Sequence, residues 1–266
     1  MTYKNIRHIH FSRICSGSLS VLAVIFFMFN ASYSISNDIF SSGEILVYNV
    51  SYIGIDIGRV EVKSVGNDQI NGINTYKTIT NINTYPEIPF IDFRVIYREW
   101  MDRSLHYSHK FVTNTFYEKD DWGYGEMNFD YNKQYLNIKS WRHNEIEWEK
   151  HFKSDKKYCN GLTIIFLIRK YAHERKSIKV PAILNNDTTS AWINLSGEKE
   201  DIYVNALGKN VSCYKAAGRI EMTGLYGLAG DFNVWITADN ARIPVQAKVN
   251  IILGSAFIEL LEVKRD

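Results

Sequence analysis

Residues 160–175 read NGLTIIFLIRKYAHER, and no other stretch so constrains what the rest of the chain can be. Leu162, Ile165, Phe166 and Arg169 recur at helical spacing. Ile164 and Leu167 make the segment apolar nearly all round, with no glycine or proline after Gly161. A helix with so little polar surface has to be buried, most simply against a concave sheet. The remaining sequence supplies that sheet. It is rich in Tyr, Ile, Val, Thr and Trp, the residues that favour strands. In EILVYNVSY, 44–52, Leu46, Tyr48, Val50 and Tyr52 share one face, and RVEVKSV returns after the glycines of IGIDIG, 53–58. NGINTYKTITNINTY opens on an Asn-Gly turn, and PEIPFIDF, 86–93, holds two of the four prolines and interrupts the ladder. Further strand-like stretches follow to residue 152 and again after the helix. The chain therefore predicts a mainly β fold: a large curved antiparallel sheet, a half-open barrel, with one buried helix packed in its concave face. The expected order is a meander over 43–152, the helix at 160–175 and a second meander over 179–264, all in one domain, 37–266.

Residues 1–36 are read separately. Lys4, Arg7 and Arg13 precede the eleven-residue run LSVLAVIFFMF, and Ser32 and Ser34 form a small-x-small pair. The run suits a secretory signal and falls short of the roughly 20 residues that span a bilayer. Cleavage is expected near Ser34 or Ser36, with an uncleaved anchor as the alternative and no stable transmembrane span after cleavage. Cys15 precedes the apolar run, which argues against lipidation. The leader holds three of the 31 Lys and Arg, so 28 remain against 29 Asp and Glu. Such a balance gives no electrostatic draw toward nucleic acid. The expected location is periplasmic or secreted. Cys159 and Cys213 fit no metal or redox spacing; a disulfide and two isolated buried thiols are both compatible with the sequence.

The most concentrated polar stretch is HNEIEWEKH, 143–151. On a strand, His143, Glu145, Glu147, Glu149 and His151 share a face. His143, Glu145 and His151 are then weak metal candidates, set against the plainer reading of a solvated outer face opposite Ile146, Trp148 and Phe152. His106 and His109 point to opposite faces of a strand and make no site together. GLYGLAG, 224–230, precedes a strand rather than a helix and reads as a loop, not a phosphate cradle. No G-x-S-x-G occurs. No catalytic constellation and no cofactor signature emerge, and a non-enzymatic protein is expected.

VWITADNARIPVQAKV, 234–249, gathers an indole, an acid, an amide, an arginine and a proline. Its alternation predicts a hairpin: FNVWIT as a strand, a turn at Ala238–Ala241, and Pro244 opening the outgoing strand, with Arg242 reaching back to Asp239. Together with GEILVYNVSYIGIDIGRVEV, NGLTIIFLIRKY and the closing NIILGSAFIELLEV, this stretch resembles the bacterial envelope family catalogued as domain of unknown function 3108. That resemblance implies a secreted or periplasmic protein with a strongly curved antiparallel sheet, and no catalytic residue. A weaker likeness of fold goes to the periplasmic lipoprotein carriers.

The leading expectation is a binding or carrier protein with an apolar groove, for a lipid or acyl chain, between sheet and helix. Leu162, Ile165, Phe166, Ile168, Tyr226 and Leu228 are the candidate lining residues, with the loops at 85–93 and 224–230 at an opening. The alternatives are a helix that only completes the core, and an envelope interaction protein that binds glycan or another protein through exposed Tyr and Trp.

Overall fold

Alternation at period two is realised as strands almost throughout the residues described by the computed structural model, which are 39–89, 92–118, 121–184, 186–220, 228–251 and 254–265. The expected leader, 1–36, lies outside them. In chain order the elements are β1 (Ile45–Tyr52), β2 (Ile55–Ile70), β3 (Ile73–Thr84), β4 (Arg94–Asp102), β5 (Ser108–Glu118), β6 (Asp121–Asp130), β7 (Tyr135–Arg142) and β8 (Glu145–Lys153). Then come α1 (Gly161–Tyr171), β9 (Lys176–Leu184), β10 (Asp187–Val204), β11 (Lys209–Ile220), β12 (Leu228–Thr237), β13 (Pro244–Ile251) and β14 (Gly254–Lys264).

All these strands form one antiparallel sheet in the order β8-β7-β6-β5-β4-β3-β2-β1-β14-β13-β12-β11-β10-β9. Two meanders are joined at the centre, where β1 pairs with β14 from Ile45–Lys264 to Tyr52–Ala256. The edges of the sheet are β8 and β9, the strands that flank α1 in sequence. The sheet is not closed into a barrel by a β8–β9 ladder. Its edges nevertheless approach: Ile183 of β9 packs with Leu136 and Ile138 of β7 and with Tyr158, and Lys150 reaches Asp187 at 3.0 Å. The segment before the helix fills the seam. Cys159 bridges to Ala182 in parallel, while Tyr158 accepts from the Ser108 N–H at 2.8 Å.

Eight strands already make a barrel that side chains alone can fill. Fourteen curved strands leave more room, and α1 occupies part of it. Ile164, Leu167 and Ile168 pack on Ile193, Leu195, Val234 and Ile236 of the second meander. Phe166 turns the other way, onto Phe40, Tyr76, Met101 and Leu105. Both ends of α1 are tied to the same rim of the sheet, where β4 ends, β5 begins and β12 turns into β13. Arg242 donates to the Lys170 carbonyl at 2.6 Å, and Lys170 donates to the Ser104 carbonyl at 2.9 Å. The helix lies across one end of the half-barrel like a floor.

Several expectations are refined. The helix stops at Tyr171 instead of 175, because Arg242 takes its last carbonyls and Glu174 N–H closes a turn onto Tyr171 at 2.8 Å. β9 accordingly starts at Lys176. The first hairpin turns on Ile53 and Gly54 alone, both at positive φ, so Ile55–Gly58 belong to β2. Arg242 meets Asp239 through its backbone N–H, at 3.0 Å, and not through its guanidinium. Cys159 and Cys213 are free and buried. Among the described residues no helix is long and apolar enough to cross a membrane.

Candidate functional site

The inner face of the sheet can be followed strand by strand through cross-strand partners, which always share a face. One row runs Ser140–Gly125–Thr113–Tyr97–Thr80–Val62 across six strands. The row beside it, farther from α1, runs Gly123–Thr115–Val95–Ile82–Val60. Small side chains dominate both rows, and Ser140, Gly125, Thr113, Thr115 and Tyr97 are only half-buried. The concave face beyond α1 is therefore lined by low side chains, mostly Gly, Ser, Thr and Val.

The row on the helix side runs Ile138–Met127–Phe111–Glu99–Thr78. Glu99 is fully buried. Its Oε1 accepts from Ser108 Oγ at 2.6 Å and from Thr163 Oγ1 at 2.5 Å. Asn160, at the N-cap of α1, makes no side-chain cap bond; its backbone N–H donates to Ser108 Oγ at 3.2 Å. A carboxylate on β4 thus serves the helix N-terminus in place of a local cap, where negative charge is favoured. Burial pushes the Glu99 carboxyl up to about 6, opposed by the hydroxyls of Ser108 and Thr163 and by the N–H groups of Thr163 and Leu162.

That shift has a consequence for stability. The folded pKa exceeds the unfolded value of about 4.5, so the folded state holds more protons between the two values. Stability from this group is full below about pH 4.5 and is lost as pH rises through 6, by about 2 kcal/mol. In denaturant titrations, the native protein minus Glu99→Gln should show that fall between pH 4.5 and 7; a flat difference would remove the assignment.

The structure distributes the helix positions expected to line a groove. Phe166 and Ile168 are buried core, whereas Leu162 and Ile165 are half-buried. Tyr226 and most of the 224–230 loop lie outside the described residues; Leu228 opens β12 opposite Ile251. His143 leaves the strand for the β7–β8 turn, at φ 53°. A left-handed turn residue does not continue the alternation of β8, so the shared face His143–His151 does not form. His143 Nε2 lies 3.3 Å from Asp121, and His151 stacks on Tyr135. Glu145 sits exposed at the start of β8. Among the described residues no group of three His, Cys, Asp or Glu side chains is placed to hold a metal ion. His109 is buried with Nε2 3.3 Å from Asp102, and His106 meets the Tyr171 hydroxyl at 2.7 Å. His109 is thus part of the core and not a partly exposed strand residue. A bulge at Trp100/Met101 turns it into an aromatic cluster with Tyr107 and Tyr131.

On the outer face a second feature appears. Trp122, Tyr124, Trp141, Arg142, His143 and Asn144 line a depression of about 320 Å³. Tyr124 and Trp141 are cross-strand partners with ring centroids 5.2 Å apart. Arg142 donates to Asp121 Oδ2 at 2.9 and 2.5 Å and lies over the Tyr117 ring.

Glu99, Thr78 and Thr80 escaped the reading of motifs. The available signal was an acid on an apolar strand face: Val95, Tyr97, Glu99 and Met101 alternate inward in VIYREWM, and only one of them is charged.

A family model described as protein of unknown function DUF3108 matches residues 47–261. No curated protein matches the chain. Among solved structures, a β-barrel-like protein of domain of unknown function DUF1849 from Brucella abortus superposes with a TM-score of 0.58 at 10% identity, covering 86% of this chain and 99% of that one. A protein with a YmcC-like fold from Bacteroides fragilis gives a TM-score of 0.36 at 9% identity, over 85% and 97% of the two chains. The first likeness is one of fold.

Proposed function

The chain belongs to the DUF3108 family, whose name assigns no activity, and from that premise we propose that it is a non-enzymatic binding protein of the bacterial envelope that holds an apolar or amphiphilic ligand, such as an acyl chain, on the concave face beyond α1. The observation that carries this reading is the pair of inner rows beside α1, in which Ser140, Gly125, Thr113 and Thr115 are small and half-buried. Curved sheets wider than their side chains can fill are where ligand cavities occur. A largely apolar, preformed concavity with few polar groups is the usual form of such sites. The exported location follows from the leader read in 1–36.

An uncharged acyl chain carrying a pyrene is the probe. The protein should take up about one equivalent, and Thr113→Phe, which fills the middle of the row, should abolish uptake with little change in Tm. Failure of the native protein to take up the probe ends this reading.

The outer depression favours a second reading, a glycan-binding envelope protein. Aromatic faces with a polar rim suit sugar rings, and because Asp121 neutralises Arg142 the ligand would be uncharged. Trp141→Ala should then weaken retention on immobilised peptidoglycan at least tenfold, about 1.4 kcal/mol, while pyrene uptake is unchanged.

A further inference from the structure

Four buried side-chain atoms among the described residues have no hydrogen-bond partner: Thr78 Oγ1, Thr80 Oγ1, Glu99 Oε2 and Asn160 Nδ2. They are not scattered. Thr78 and Glu99 are direct cross-strand partners on the inner face, and Thr80 is the next inward residue of β3. Asn160 joins Glu99 through Ser108 Oγ. Buried polar groups in folded proteins are paired with few exceptions, and an exception points to a missing water, ion or ligand. A cluster of them in one strip points to one missing group.

The chemistry of that group can be read from the strip. Three of the four atoms are oxygens able to accept, and one belongs to a carboxyl whose partners among the described residues are all uncharged: Ser108, Thr163 and the N–H groups of Leu162 and Thr163. The Cys159 thiol, which feels the Glu99 charge, is pushed up to about 12 by burial and so stays neutral. An isolated buried carboxylate is unfavourable until it is paired. Thr80 stands in the next row of the inner face, and Thr78 and Glu99 share the row nearer α1.

We propose that this strip is a headgroup site for an amphiphile bearing a primary ammonium. Three N–H donors match Thr80 Oγ1, Thr78 Oγ1 and Glu99 Oε2, and the positive charge pairs with the lone carboxylate. The chain of the ligand lies along the small-residue rows. An alcohol satisfies the hydroxyls but leaves the carboxylate unpaired, and a carboxylate headgroup is repelled. The assignment rests on interior binding as proposed above and adds the class of ligand.

The test is displacement of the pyrene probe from the full-length mature chain by dodecylamine, dodecanol and dodecanoate. At pH 7.5 dodecylamine should displace at a concentration at least tenfold lower than dodecanol, with dodecanoate the weakest. At pH 5, below the Glu99 pKa of about 6, the amine stays charged while the carboxyl is neutral, and its advantage should shrink to within threefold of the alcohol. Glu99→Gln should remove the advantage at pH 7.5 and leave dodecanol unchanged. Thr78→Val with Thr80→Val should weaken the amine and the alcohol alike. If Glu99→Gln does not fold, the pH profile of the native protein decides on its own. Equal displacement by amine and alcohol, as expected if the strip holds only water, overturns the ammonium site and leaves interior binding standing. Preference that survives in Glu99→Gln does the same. Absence of any probe uptake overturns both.

Discussion

Arg169→Met is expected to cost about 3 kcal/mol of folding stability, and Glu44→Leu closer to 5, within the range for breaking a buried ion pair. The two residues lie on α1 and just before β1, and each is 1% exposed. Arg169 Nη1 and Nη2 donate to the two Glu44 oxygens at 2.8 and 3.2 Å, while its Nε and Nη2 donate to the carbonyls of Arg242 and Ala241 at 2.9 and 3.0 Å. The asymmetry follows from what each deletion leaves behind. Without Arg169, Glu44 still has Arg265 Nε at 3.1 Å, near the surface. Without Glu44, a buried guanidinium keeps only two neutral carbonyls. The double variant should recover much of the loss, because what costs most is the unpaired charge and not the absence of the pair. Urea titrations of the four proteins measure all three differences. If Glu44→Leu proves milder than Arg169→Met, the role given to Arg265 is wrong.

Leu167→Ala should lose about 3–5 kcal/mol, in the upper part of the range for a buried leucine. Leu167 has no exposed surface and sits amid Ile164, Ile168, Ile193 and Val234. The cost of such a cavity depends on how far the surroundings can collapse into it. Here the walls are laddered strands on one side and a helix fixed at both ends on the other, so little relaxation is available. Ile165, half-buried two residues away, is the control: Ile165→Ala should cost no more than about 2 kcal/mol. Equal losses at the two positions would mean that α1 can shift to fill the gap. The urea m-value should not change in either case, since the native state stays compact.

Much of the fold was legible because it is written at period two. Alternation in EILVYNVSY and FNVWIT, the Asn71–Gly72 turn and Pro244 all appear where the residues place them. The single apolar helix told correctly that a concave sheet must exist to bury it. What local pattern does not carry is partnership across the chain. Nothing in Glu44 or Arg169 taken singly announces that 125 residues later one will neutralise the other. Arg242 looked like a partner for Asp239 because the turn lay nearby. Its guanidinium instead closes the helix, and the VWITADNARIPVQAKV hairpin turns out to be the clamp on α1. The interior site was hidden for a related reason. Glu99 and Thr78 become neighbours only when β3 and β4 pair, and the small residues of the concave face form rows across strands, never along one.

The strand order also dictates when the molecule becomes complete. Each meander is a series of hairpins between neighbours in sequence, contacts that close quickly. The central ladder is the opposite case, since Ile45 pairs with Lys264 at the far end of the chain. While the polypeptide is being made, β1 waits as a bare edge until β14 has emerged, and β13 likewise has no outer neighbour. Bare edges invite pairing with other chains. Loss of residues 254–266 would remove β14 and leave two half-sheets, each ending in an unpaired strand. β14 is thus the last stitch of the sheet, and assembly of the whole is gated by its arrival.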